Sequence, residues 1–162
     1  MKKNIEINYK PIGIIHSLFV EAKGTPIQTT TSNAEGTVEI YPEYIVGLKD
    51  IDGFSHIILL YHFHLSGKPT MEVKPFLDDS THGVFATRAP SRPNSIGISV
   101  VKLVRMKGNI LHVKGLDILD GTPLLDIKPY VPEFDSREVE KIGWLEKRVR
   151  GLKSARDDGR FQ

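Results

Sequence analysis

"IGISVVKLVRMKGNILHVKGLDIL", residues 96–119, decides how the rest of the chain is read. Ile96–Met106 is long, apolar and rich in β-branched residues, which favour a strand. Lys107-Gly108-Asn109 is a hairpin signal. The segment 109–119 then returns as a second strand. A strand, a tight turn and a strand set an antiparallel, mainly β frame, and the flanks repeat the pattern. Upstream, "FSHIILLYHFHL" (54–65) is the most apolar segment and reads as a central strand. "IGIIHSLFV" (12–20) and "GTVEIY" (36–41) are further strands, and "MEVKPF" (71–76) and "HGVFATR" (82–88) are shorter ones. "PLLDIKPYV" (123–131) is the last. "PEYIVGLKDIDGF" (42–54) reads as a helical turn, with Pro42 suited to a first helical position.

One stretch has helical spacing. Asp135 and Glu138 are placed like a capping box. Val139, Ile142, Leu145 and Val149 then form one stripe, which predicts a C-terminal helix over 136–150. Many short strands in one chain point to a closed or nearly closed barrel, because closure removes exposed edges. The expected architecture is one domain over 1–162: a single-sheet β-barrel over about 10–135, then the helix and a basic tail.

Composition narrows the chemistry. The chain has 162 residues, 40% apolar and 26% charged, with a net charge of +2. It has no cysteine, so disulfides, thiolate metal sites and cysteine nucleophiles are excluded. No apolar run approaches the roughly 18 residues that span a bilayer, and "MKKNIEINYKPIG" lacks the apolar core of a signal peptide. A cytoplasmic location is expected. The fourteen glycines form neither G-x-G-x-x-G nor a Walker motif, which disfavours a Rossmann-type nucleotide fold. There is no G-x-S-x-G elbow either.

Three clusters carry chemical potential. His56, His62 and His64 have one parity in the central strand, so they share a face. His62 and His64 have the spacing of a strand metal pair, and a zinc-dependent hydrolase is one alternative reading. No third ligand is marked. "TRAPSRPN" (87–94) carries Arg88 and Arg92 on a backbone stiffened by two prolines, and guanidinium forks suit carboxylates and phosphates. "GLDILDGTPLLDIKPY" (115–130) sets Asp117, Asp120 and Asp126 among apolar residues, around a turn. The tail from Lys147 to Arg156 has five basic residues and no acid. A second alternative is therefore a small-barrel RNA-binding module without catalysis.

"FATRAPSRPNSIGISVVKL" (85–103) followed by "LDILDGTPLLDIKPYVPEFD" (116–135) resembles the TsaA/TrmO family, as do "PIGIIHS" (11–17) and "DGFSHIILLYHFH" (52–64). The resemblance covers residues 10–135. It implies a β-barrel, non-Rossmann, S-adenosyl-L-methionine-dependent tRNA methyltransferase. Such enzymes methylate N6 of N6-threonylcarbamoyladenosine at position 37, beside the anticodon, and work as homodimers with the cofactor near the subunit interface. It places the cofactor between the two long motifs. Arg88 would face it, Arg92 would take its carboxylate or the RNA, and Asn94 would hold the turn. Asp117, Ile118, Leu119 and Asp120 would lie opposite. His64, Leu65, Pro26, Ile27 and Gln28 would complete the pocket. Asp120 or Asp126 would be the base, with Lys128 and Tyr130 as polarising groups. Arg148, Arg150 and Lys153 would contact tRNA phosphates. The chain departs from the family's bacterial pattern at Pro26-Ile27-Gln28, where those members read P-R-Q, and at Phe63-His64-Leu65, where they read F-H-Q.

Overall fold

A computed structural model describes residues 5–162. Its centre is a closed antiparallel barrel of six strands. In chain order the strands are β1 (Gly13–His16), β2 (Glu35–Ile40), β3 (His56–His62), β4 (Glu72–Val73), β5 (His82–Gly83), β6 (Ile96–Lys107), β7 (Ile110–Lys114) and β8 (Thr122–Pro129). The barrel runs β1-β2-β7-β6-β3-β8, and β8 closes on β1 through Gly13–Leu124 and Ile15–Thr122. Strands β4 and β5 pair with each other as a separate two-stranded ribbon. The mainly β, single-sheet barrel read from the sequence is the fold observed.

Alternation fills the interior. Ile57 and Leu59 of β3 point inward, as do Val101 of β6, Leu111 and Val113 of β7, and Leu124 of β8; all are almost fully buried. The hairpin turn between β6 and β7 sits where the sequence placed it, with Gly108 at φ +61°. Burying side chains of this size stabilises the fold by about 1.5–3 kcal/mol each. The predicted helical turn over 42–54 is two short 3₁₀ segments, Pro42–Leu48 and Ile51–Gly53.

The strand directions put three long loops at one end. Residues 17–34, 63–95 and 115–121 all connect strands there. The other end has the tight β6–β7 turn and the connection over 41–55, which is folded into 3₁₀ segments. The long loops form a mouth over the barrel, and they carry Arg88, Arg92 and Asp117.

The predicted helix over 136–150 is not formed. The α-helix is limited to Pro132–Asp135, and Gly143–Leu145 and Val149–Gly151 are single 3₁₀ turns. Asp135, expected to start a helix, accepts the Val131 N–H at 2.8 Å and so caps the shorter one from within. Gly143 takes a φ of +61°, which breaks helical continuation. The apolar stripe is not buried as one: Val139 is 67% exposed. The tail instead runs back to the mouth. Gly24 N–H donates to Asp157 O and Asp157 N–H to Thr25 O, and Pro26 bridges to Arg156. Phe161 inserts into a small second core with Val73, Val84 and Ala89.

Gly97, at the mouth end of β6, is required by contact. A Cβ there would lie 2.2 Å from Cε2 of Tyr61. Gly97→Ala is therefore expected to displace the Tyr61 ring and cost about 1–3 kcal/mol, as overpacking does. Equilibrium urea unfolding measures this, and an unchanged midpoint would show that the ring yields freely.

Candidate functional site

Four side chains meet just inside the mouth. Ser99 of β6 faces the interior and donates its hydroxyl hydrogen to Asp117 Oδ1 at 2.6 Å. That leaves the Tyr61 hydroxyl, 3.0 Å away, to donate to Ser99 Oγ. The result is a chain from Tyr61 through Ser99 to Asp117, with Arg88 acting on both ends by its charge. Burial pushes the Asp117 carboxyl up to about 6, against the hydrogen bond from Ser99 and the pull of Arg88. Burial, then the charge of Asp117, pushes the Tyr61 phenol well above its ordinary range. Phe63 packs edge-on to Tyr61, with ring centres 5.4 Å apart.

Tyr61, Phe63, Arg88 and Asp117 border a cavity of about 220 Å³. Its walls include Arg88, Arg92, Gly97, Asp117 and, from the returning tail, Asp157. Asp157 is also shifted upward by burial. The cavity thus presents two carboxylates and two guanidiniums among aromatic and aliphatic walls. It can hold a zwitterion or a cation with an apolar body.

The expected cofactor residues divide. Pro26, Ile27 and Gln28 line this cavity, and Gln28 Oε1 accepts from Arg88 Nη1 at 3.1 Å. Arg92 also borders it, but its Nη1 donates to the carbonyls of Val84, Thr87 and Ala89 at 3.1, 2.8 and 3.2 Å. Arg92 braces the loop that carries Arg88. Asn94, expected to hold this turn, has an exposed side chain and offers only its backbone carbonyl to Ile96 N–H. Arg92 does that work because a guanidinium reaches three carbonyls at once. His64, Leu65, Ile118 and Leu119 border a smaller adjoining hollow of about 80 Å³. His64 Nδ1 lies 3.3 Å from Thr122 Oγ1, and burial lowers its pKa.

The expected catalytic residues stand apart from the cavity. Asp120 accepts the Ser17 N–H at 3.0 Å and lies 3.7 Å from His16. Asp126 and Lys128 form an ion pair at 2.8 Å on the outward side of β8. Tyr130 lies at the opposite barrel end, where its N–H donates to His56 O and its hydroxyl is 3.4 Å from Ser136 Oγ. Sequence cannot separate these aspartates from Asp117, because the path of the β7–β8 connection and a register shift between β3 and β8 decide which one turns inward. His56 and His62 lie on the outer face of β3, away from the cavity. Among the described residues no three His, Asp or Glu side chains are grouped to hold a metal. In the tail, Arg148 pairs with Asp78 at 3.1 Å, whereas Arg150 and Lys153 are exposed. Sequence reasoning missed Tyr61, Ser99 and Asp157. Tyr61 and Ser99 look like ordinary strand residues, and their inward parity was the available signal.

The description of the tRNA-methyltransferase O N-terminal domain matches residues 14–136. The chain belongs to this family. A crystal structure of TrmO from Pseudomonas aeruginosa superposes with a TM-score of 0.73 at 38% identity, covering 86% of this chain and 63% of that one. A probable S-adenosyl-L-methionine-binding protein of Pyrococcus abyssi is 64% identical over 156 residues, 96% of this chain and 85% of that protein. A human tRNA (adenine(37)-N6)-methyltransferase is 37% identical over 137 residues, 78% of this chain but 31% of that enzyme. This TrmO-family chain therefore spans most of the archaeal relative but under two thirds of the bacterial crystal chain. Its tail from residue 137 lies beyond the family match.

Proposed function

We propose that the chain is an S-adenosyl-L-methionine-dependent tRNA methyltransferase that acts on N6 of N6-threonylcarbamoyladenosine at position 37. The observation that carries this is the buried carboxylate of Asp117 in the mouth cavity of a TrmO-family barrel. The donor set fits the cofactor. Asp117 and Asp157 suit the positive sulfonium and ammonium, Arg88 suits its carboxylate, and Tyr61 and Phe63 give the apolar wall. When bound, the cofactor supplies an electrophilic methyl group.

The chain's residues then hold donor and acceptor in line and keep water out, which is the main contribution a methyltransferase makes. The N6 nitrogen loses its proton as the N–CH3 bond forms, and a carboxylate acceptor assists that loss. Asp117, rather than Asp120 or Asp126, is the carboxylate that the cavity offers, and at pH 7 it is largely ionised. The test is incubation with methyl-labelled cofactor and tRNA bearing or lacking the threonylcarbamoyl group. Label should enter only the bearing tRNA, and label in neither would overturn the reading.

The active form is a homodimer. The outward faces of β3 and β6 carry Ile58, Leu60, Ile98 and Val100, an apolar sheet surface. Ile98 also lines the cavity, so a second copy seated on this face would complete the cavity wall. Light scattering should give about twice 18.2 kDa, and a monomer mass at micromolar concentration would sink the assembly.

The tail supports RNA binding. Arg150 and Lys153 are free to meet phosphates, while Arg148 is held by Asp78. Replacing Arg150 and Lys153 with alanine should lower the log–log salt slope of tRNA binding by about 1.4–1.8, two phosphate contacts' worth. An unchanged slope would show that these charges only face solvent.

A further inference from the structure

The Asp117 cavity has a larger neighbour. A chamber of about 500 Å³ lies beside it, and the two share Ile27, Gln28, Phe76, Thr87 and Arg88 as a common border. One wall is the loop between β5 and β6, with Phe85. The opposite wall is the tail, with Trp144, Leu145, Val149 and Leu152. Those tail residues lie beyond the family match, which ends at 136. One wall of this chamber is thus built by residues outside the matched domain.

The added wall is held firmly. Trp144 Nε1 donates to Ala86 O at 2.8 Å, and its ring stacks on His82 at 4.5 Å. Asp78 accepts from both His82, at 2.9 Å, and Arg148, at 3.1 Å. Hydrogen bonding from His82 is the main cause that keeps Asp78 below the usual carboxylate range. Further along, Phe161 packs edge-on to Phe76 at 5.1 Å. This fastening holds a space open between the two walls. Phe85 is left 73% exposed at its rim.

We propose that the chamber seats the purine ring of the acceptor nucleotide against Phe85 and Trp144, with its acidic N6 substituent directed to Arg88. This rests on the methyltransferase reading and adds the acceptor's place to it. Charge sorts the two spaces. The Asp117 cavity sets two carboxylates beside two guanidiniums and suits the cofactor, which carries two positive groups and one carboxylate. Among the described residues, Arg88 is the only charged group on the chamber wall. An apolar wall with one guanidinium suits a neutral aromatic ring bearing a carboxylate. The volume is in the range of pockets that hold ligands of nucleoside size. Arg88, on the shared border, stands where the two ligands would meet.

Trp144 is the single tryptophan of the chain, so its emission reports on this wall directly. The probe is an anticodon stem-loop RNA carrying N6-threonylcarbamoyladenosine; the control is the same RNA with uridine at that position. The first should change Trp144 emission on binding and the second should not. Phe85→Ala, at an exposed position that the fold does not need, should weaken the first RNA about tenfold or more and leave the control unchanged. Its S-adenosylmethionine affinity, by calorimetry, should stay within about twofold of the parent. Equal emission changes from both RNAs, or unaltered affinity in Phe85→Ala, would overturn the chamber as the acceptor site. So would emission that responds to S-adenosylmethionine alone and then no longer responds to RNA. Absence of methyl transfer in a protein whose Trp144 still distinguishes the two RNAs would sink the methyltransferase reading and leave the chamber standing. Transfer that proceeds while Trp144 stays silent would do the reverse.

Discussion

Asp117→Asn is expected to weaken S-adenosylmethionine binding about 10- to 150-fold at pH 8, the equivalent of one hydrogen-bonded charge interaction of about 1.5–3 kcal/mol. The substitution keeps the shape and still accepts the Ser99 hydrogen bond, so it removes the negative charge and little else. The parent protein should bind the cation more tightly as pH rises through about 6, where Asp117 ionises. The variant should show no such rise. Stability should move the other way. Asp117 has a folded value near 6, above the ordinary 3.8, so the folded state holds the proton more tightly than the unfolded chain. That contribution is complete below about pH 4 and is lost as pH rises through about 6. Asparagine does not ionise, so the variant should gain thermal stability relative to the parent over the same interval. Titration calorimetry and melting curves from pH 4 to 8 check both signs. Equal affinity in parent and variant at pH 8 would remove Asp117 from the cofactor site.

Arg92→Ala should affect both stability and binding. Nη1 of Arg92 ties the carbonyls of Val84, Thr87 and Ala89 into one loop. Without it those acceptors lose a charged donor, at a cost of about 1.5–3 kcal/mol. For a chain of this size that is a fall in melting temperature of about 3–12 °C. Arg88 sits on this loop, so cofactor affinity should fall as well, although Arg92 acts through position rather than contact. Arg92→Lys should not restore the loss, because an ammonium lacks the planar fork that reaches several carbonyls together. An unchanged melting temperature in Arg92→Ala would show that the local Thr87 hydroxyl bonds, to Val84 O and from Ala89 N–H, hold the loop alone.

The sequence by itself determined the barrel. The apolar run of β3, the β-branched run of β6, the Gly108 turn and the absence of a glycine-rich phosphate loop are local or compositional properties, and they need no tertiary information. The motif around Arg88 and Arg92 was legible for the same reason: prolines and guanidiniums are visible one residue at a time. What the sequence left open was direction. The aspartates at 117, 120 and 126 look equivalent along the chain, but Asp117 is turned inward in the connection between β7 and β8, where Ser99 meets it, and the register shift in the β3–β8 pairing leaves Asp126 outside beside Lys128. The tail shows the same limit more strongly. Val139, Ile142, Leu145 and Val149 have helical spacing, but a helix there would need one surface on which to bury its stripe. The mouth loops offered separate partners instead: Ala86 for Trp144, Asp78 for Arg148 and Thr25 for Asp157. Contacts between residues 58 to 132 positions apart overrode a local periodicity, and they built the second chamber in doing so.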